Sequence, residues 1–269
     1  MLISATISLA TMITLLPPSP QPAPLAQDVG SGEAPAILPK ETVNPVHEWL
    51  DKIEAKSKET QSVSGKVKYT YNQTLQGDIQ YRFGRMIYTA GPPAKFAVQF
   101  DRRVVGRKLK EEERWYIFDG VWLVEKLVDK KQFFKWQVVP PNQAGNANPL
   151  ALGRGPFVVP LNLKKDQILE RFYVSIAEAD AEKDPKNSVH LALIPKKDQR
   201  INFTKLDIWY DRDSLTLLKA VTMDESQTES TFELMEPAFN KPVDEKLLDV
   251  TEPKEEGWEV QITPWEEKK

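Results

Sequence analysis

From Ser62 onward, apolar side chains recur at every second residue, a pattern that helices cannot bury on one face. Val67, Tyr69 and Tyr71 alternate with Lys66, Lys68 and Thr70, and Ile79, Tyr81 and Phe83 with Asp78, Gln80 and Arg82. Phe96, Val98 and Phe100 do the same with Lys95, Ala97 and Gln99. A period of two puts neighbouring side chains on opposite faces, so each run predicts an antiparallel strand with one buried side. Turn chemistry separates the runs at Gln76-Gly77, Gly91-Pro92-Pro93 and Asp119-Gly120, the last a hairpin signal between 115–118 and 121–127. More strands are expected at 132–139, 173–177, 189–194, 203–210, 215–223 and 230–236, with Asp211 to Ser214 as a turn. Between them, Arg102, Arg103, Arg107, Lys108 and Lys110, followed by Glu111 to Glu113, read as a solvated zwitterionic loop, with docking of a partner or of lipid head groups as the alternative.

Helical spacing is confined to two places. Val46, Trp49, Leu50 and Ile53 fall on one helical face over 45–58, with Asn44 as N-cap and Pro45 in the first turn. An insert at 143–172 holds Pro149-Leu150-Ala151-Leu152, Phe157 to Leu161 and a helix expected over 163–172. A structureless loop of that length is uncommon in a compact domain, and its apolar content predicts short helices laid over a sheet. The expected fold is therefore α+β and mainly β. It is a strongly curved antiparallel sheet, an incomplete half-barrel of about 10–11 strands, with helices covering its concave face.

Composition removes several classes of function. The formal charge is -3, which offers no basic surface for nucleic acid. Without cysteine there is no disulfide, thiolate nucleophile or Cys-type zinc site. His47 and His190 are far apart and predict no metal. No Gly-x-Ser-x-Gly motif occurs, Gly153 and Gly155 lack the rest of a dinucleotide fingerprint, and Asp207, Asp211 and Asp213 lack EF-hand spacing. No enzyme and no cofactor is expected.

The domain plan follows from composition shifts. Leu2 to Leu16 is an apolar run ending at Pro17-Pro18, short for a membrane span and suited to a signal peptide over 1–26, which implies the periplasm. A Pro-rich linker at 27–41, a folded domain at 42–252 and a polar tail at 253–269 complete the plan. Trp258 and Trp265 leave two options for that tail, packing as a last extended segment or staying loose.

The order of motifs is more specific than any one of them. The amphipathic helix leads into Ser62-Val63-Ser64-Gly65, then a strand from Pro93 to Phe96, a Phe118-Asp119-Gly120 hairpin and the Pro149 insert. Leu206-Asp207-Ile208-Trp209-Tyr210-Asp211 and Phe232-x-Leu234 follow. Over roughly residues 45–252 this order resembles the LolA-like family of periplasmic lipoprotein carriers. The resemblance implies an incomplete β-barrel with a helical lid, whose cavity holds lipoprotein acyl chains in transit toward the outer membrane. It implies membrane-bound donor and acceptor proteins as partners. Some relatives of that fold instead sense lipid or protein signals. Where the family has a lid-latching arginine before the strand proline, this sequence has Gly91-Pro92, so an ATP-linked hand-over is not implied. A monomer is expected.

Carrying an acyl chain needs apolar surface, since about 15 exposed methylenes cost on the order of 12 kcal/mol in water. The inward faces predicted to supply it are Val67, Tyr69, Tyr71, Ile79, Tyr81, Phe83, Phe96, Val98, Phe100, Ile117 and Leu123, forming a large dry cavity. Leu150, Leu152, Phe157, Leu161 and Ile168 are the expected lid.

Overall fold

A computed structural model describes residues 44–140, 158–197 and 201–265. Among these, twelve strands form one sheet in the order β12-β6-β5-β4-β3-β2-β1-β11-β10-β9-β8-β7. The strands are β1 (Ser62–Gln73), β2 (Asp78–Thr89), β3 (Lys95–Val105), β4 (Lys108–Phe118), β5 (Trp122–Leu127) and β6 (Gln132–Gln137). The second half holds β7 (Phe172–Ile176), β8 (Ser188–Pro195), β9 (Lys205–Asp211), β10 (Leu217–Met223), β11 (Thr228–Phe239) and β12 (Glu259–Thr263). Twelve strands exceed the expected ten or eleven. The extra pairing is parallel, β12 against β6, and every other pair is antiparallel. The last strand realises the extended option for the tail, and the sequence left that option open because all but one of its residues are exposed, which removes the alternation that marks a half-buried strand.

The strand order explains the insert. The chain meanders outward from β1 to β6, resumes at the opposite edge with β7, and meanders back until β11 pairs with β1. The connection from β6 to β7 must therefore pass from one side of the sheet to the other. Both of its described flanks are buried in the main apolar cluster, Val139 before it and Val159, Leu161, Leu163 and Ile168 after it. The second helix, α2 (Lys165–Arg171), belongs to this crossing. Its start is tied to α1 (Pro45–Glu59), because the Lys165 amide donates to Glu54 at 3.0 Å and Lys165 Nζ lies 2.8 Å from Asp51.

Helix α1 begins where the sequence predicts. The Asn44 side chain accepts from the Val46 amide at 3.0 Å with Pro45 in the first turn. Its buried face is Leu50 and Ile53. Ile53 shares a crevice with Val63, Tyr210, Leu217 and Phe239 of the sheet, and only about 20 Å³ remains open there. That is room for roughly one water, so α1 packs closely on the sheet at this crevice.

The opposite face of the sheet is also covered. Ile87, Ala97, Ile117, Val124 and Phe133 pack with Leu248, and Val243, Leu247, Val250 and Trp258 lie against them. The C-terminal segment thus gives strands β2 to β6 a second apolar neighbour. This is why Met86-Ile87-Tyr88 and Phe96-Ala97-Val98 are apolar without interruption, as strands buried on both faces are.

Two sequence expectations fail at β2 and β3. The zwitterionic stretch is no loop, because β3 runs on to Val105 and β4 begins at Lys108, with Gly106 at φ +61° in the turn. Ile79, Tyr81 and Phe83 pair with Asn72, Thr70 and Lys68 of β1, on the face opposite Gln80 and Arg82. The apolar stripe of β2 changes face at Gly84, being odd-numbered before it and including Met86 and Tyr88 after it. An added Cβ at Gly84 would land on the backbone carbonyl of Gln99, next to the register shift between β2 and β3. Only glycine tolerates that approach. Gly84→Val is expected to lower stability by about 1–3 kcal/mol through overpacking, read by urea unfolding. A wild-type midpoint in the variant would mean that the strands do not approach there as described.

Candidate functional site

An opening in the sheet lies on the strands that carry Tyr69 and Tyr71, toward the β1–β2 turn. It is a cavity of about 250 Å³ lined by Tyr69, Tyr71, Gln80, Arg82, Phe100, Arg114 and Tyr116. Register brings these together. Tyr69 stands opposite Arg82 and Tyr71 opposite Gln80 across β1 and β2, and Phe100 stands opposite Arg114 across β3 and β4. Cross-strand partners share a face, so four strands deliver one surface.

Of the residues predicted to line an apolar cavity, three do: Tyr69, Tyr71 and Phe100. Val67, Phe96 and Val98 point the same way but are sealed inside the cluster that α1 and α2 join, and Leu123 packs against it. Ile79, Tyr81, Phe83 and Ile117 do not belong here. The first three lie on the reverse of β2, and Ile117 is buried with the C-terminal segment. Of the expected lid, Leu161 and Ile168 are buried in the main cluster, while Leu150, Leu152 and Phe157 lie outside the described residues.

The opening differs from a large dry cavity in both size and chemistry. The opening is small and rich in charge. Arg82 Nε is 3.4 Å from Glu112 Oε2, Arg103 Nε is 3.9 Å from the same oxygen, and Arg114 Nη2 is 3.2 Å from Glu125 Oε1. Arg103 Nη2 also donates to Gln80 Oε1 at 2.7 Å. Arg82 and Glu112 are mostly buried, with side chains 13% and 19% exposed. The sequence reading holds Arg103 and Glu112 in a loop, with docking of a partner or lipid head groups as its alternative, whereas the structure puts them in β3 and β4. The signal for Glu112 is the alternation of Lys110, Glu112, Arg114 and Tyr116 within β4.

The surroundings shift the titration of these groups. Burial raises the Tyr116 phenol far above its ordinary value, with the Arg114 charge opposing. Burial also raises Tyr69, against a hydrogen bond with Ser230 and the charge of Arg82. For Arg82 burial depresses the pKa, Glu112 restores part of it, and Arg114 and Arg103 depress it further. The guanidinium nevertheless stays charged at neutral pH.

A second polar group lies on the reverse of β8 and β9. His190 Nε2 is 2.8 Å from Asp207 Oδ1, Trp209 Nε1 donates to Asp184 at 2.7 Å, and the His190 ring stacks on Trp209 at 4.1 Å. Burial alone would raise Asp207, but hydrogen bonds from His190 and Lys205 hold its carboxyl below the usual range. His47 is exposed on α1. Among the described residues no group of three or more His, Cys, Asp or Glu side chains is arranged to hold a metal.

Four tyrosines have raised pKa values, Tyr69, Tyr88, Tyr116 and Tyr210, burial being the first cause for each. A phenol raised on folding stabilises the native state fully below its unfolded value and loses that contribution as pH climbs toward the folded one. Stability linked to these residues is therefore expected to hold up to about pH 10 and fall above it. An alkaline titration of phenolate absorbance, run beside circular dichroism, checks this. All seven tyrosines ionising together near pH 10 in folded protein would contradict it.

No family model matches the sequence, and no curated protein matches it. Among solved structures, the chain is similar to an uncharacterised conserved protein from Thermus thermophilus at 12% identity. That match covers 81% of this chain and 99% of that one, with a TM-score of 0.47. A LolA superfamily protein from Nitrosomonas europaea is similar at 10% identity over 74% of this chain and 97% of that one, with a TM-score of 0.36. The MucA/MucB complex of Pseudomonas aeruginosa contains a chain 16% identical, with coverages of 76% and 60% and a TM-score of 0.40. At these identities the likeness is one of backbone architecture alone.

Proposed function

We propose that this chain is a non-catalytic, exported carrier that binds lipoprotein acyl chains or another lipid on the inner face of its sheet and ferries them toward the outer membrane. The observation that carries this proposal is the aromatic opening on the concave face, where Tyr69, Tyr71, Phe100 and Tyr116 meet. Apolar rings around a cleft are what a lipid tail requires. The apolar run Leu2 to Leu16 supports export to the periplasm.

The cavity of about 250 Å³ falls below the roughly 300–1,000 Å³ of ordinary small-molecule sites. It therefore takes the end of a ligand, and a full acyl chain needs the apolar cluster beside it to part. The segment with Leu161 and Ile168 is the element proposed to lift, together with Leu150, Leu152 and Phe157. Donor and acceptor proteins at the two membranes would supply and remove the load. Both carboxylates near the opening are engaged by arginines, which supports a binding role over general acid–base chemistry.

An apolar strip on the reverse face favours a second role, that of a sensor or protein-interaction module. Tyr81, Val104 and Leu109 are consecutive cross-strand neighbours there, and Ile79 and Leu109 are 38% and 65% exposed. Exposed apolar groups of this kind suit a protein partner.

Protein purified without detergent, then extracted and analysed by mass spectrometry, is expected to release phospholipid or lipoprotein acyl chains. Tyr71→Ala combined with Tyr116→Ala should lower the bound amount by about tenfold or more, the loss expected from removing buried ring area. Protein that comes out empty and takes up no apolar fluorescent probe would rule out the carrier role. Empty protein that retains a partner through Tyr81 and Leu109 would favour the sensor.

A further inference from the structure

We propose that the concave opening is a head-group site, in which Arg82, Arg103 and Arg114 recognise the single negative charge of an anionic amphiphile. This rests on the carrier proposal and names the class of lipid that the same site selects. Three observations support it, and each concerns groups that a purely apolar cavity would not contain.

First, the charges at the site do not cancel. Three arginines face two glutamates, Glu112 and Glu125, which leaves 3 − 2 = +1. An excess buried charge is costly unless an ion of opposite sign joins it. A monoanion, such as a phosphodiester or a fatty carboxylate, balances it. A phosphomonoester, with a charge of about −1.5 to −2 at neutral pH, overshoots.

Second, the donors are not used up. Among the described residues, Nε of Arg82, Arg103 and Arg114 and Oε2 of Glu112 are buried without a hydrogen-bond partner. Glu112 Oε2 stands between two guanidiniums at 3.4 and 3.9 Å, in ion-pair range but outside hydrogen-bond geometry. Buried polar atoms are normally satisfied, and three unsatisfied N–H groups of this kind suit the oxygens of an oxyanion.

Third, the apolar and charged parts are arranged as an amphiphile is. Arg82 and Arg114 line the opening together with Tyr69, Tyr71, Phe100 and Tyr116, and Phe100 is also part of the sealed apolar cluster. A head group held by the arginines would direct its tail along Phe100 into that cluster.

Matched probes test this on the full chain by titration calorimetry, with each probe kept below its micelle concentration. Dihexanoyl phosphatidylglycerol is compared with dihexanoylglycerol, and decanoate with decanol. The anionic member of at least one pair should bind about tenfold tighter or more, the gain typical of charge-assisted hydrogen bonds. Which pair discriminates tells a phosphodiester from a carboxylate. Arg114→Gln and Arg82→Gln should remove that preference, leaving no difference between the anionic and neutral members of the pair, and Arg114→Lys should restore only part of it, having lost the fork geometry. Lys219→Gln, on the reverse face over Trp209, should behave as wild type. Melting curves identify any variant that unfolds, and the wild-type comparison alone still decides. Equal affinities within both pairs would overturn the head-group site and leave the carrier proposal standing. Failure of all four probes to bind would overturn both. Glycerol 3-phosphate binding as tightly as the lipid would mark a free-anion site and overturn the amphiphile.

Discussion

At Gly84 two strands come too close for any side chain, and much of the inner face depends on that contact. β2 keeps its parity through the glycine, so Gln80 and Arg82 look the same way as Met86 and Tyr88. The face that is apolar near α1 is therefore charged near the turns. One strand serves two environments because its apolar stripe changes side where the sheet admits no side chain. Beyond the neighbouring register shift, β3 and β4 carry Arg103 and Glu112 to the same surface.

Topology explains how the two environments are separated. The chain leaves the sheet at β6 and re-enters at the far edge as β7, and the described flanks of that crossing are buried among inner-face residues. The described flanks of this crossing and α1 share one apolar cluster with the sheet. On the reverse, residues between Val243 and Trp258 cover Ile87, Ala97, Ile117, Val124 and Phe133.

Much of the architecture was legible beforehand. Period-two runs marked most of the strands, Asn44 and Pro45 marked the start of α1, and Asp119-Gly120 marked a hairpin, in which Asp119 Oδ1 now accepts from the Val121 and Trp122 amides at 2.9 and 2.8 Å. The site was less legible. Tyr69, Tyr71 and Phe100 line the opening, since their strands hold one apolar stripe up to it. Ile79, Tyr81, Phe83 and Ile117 were not, because both faces of β2 and β4 carry apolar residues and hydrophobicity could not say which was inner.

By itself the sequence determined that this chain folds as strands with few helices, since periodicity and turn residues are local properties. Only the tertiary structure decided which side of each strand faces inward, and with it the opening where Arg82 and Arg114 join the aromatic rings. Face depends on register with neighbours far along the chain, and β1 must meet β11 about 170 residues later. No local pattern encodes that pairing.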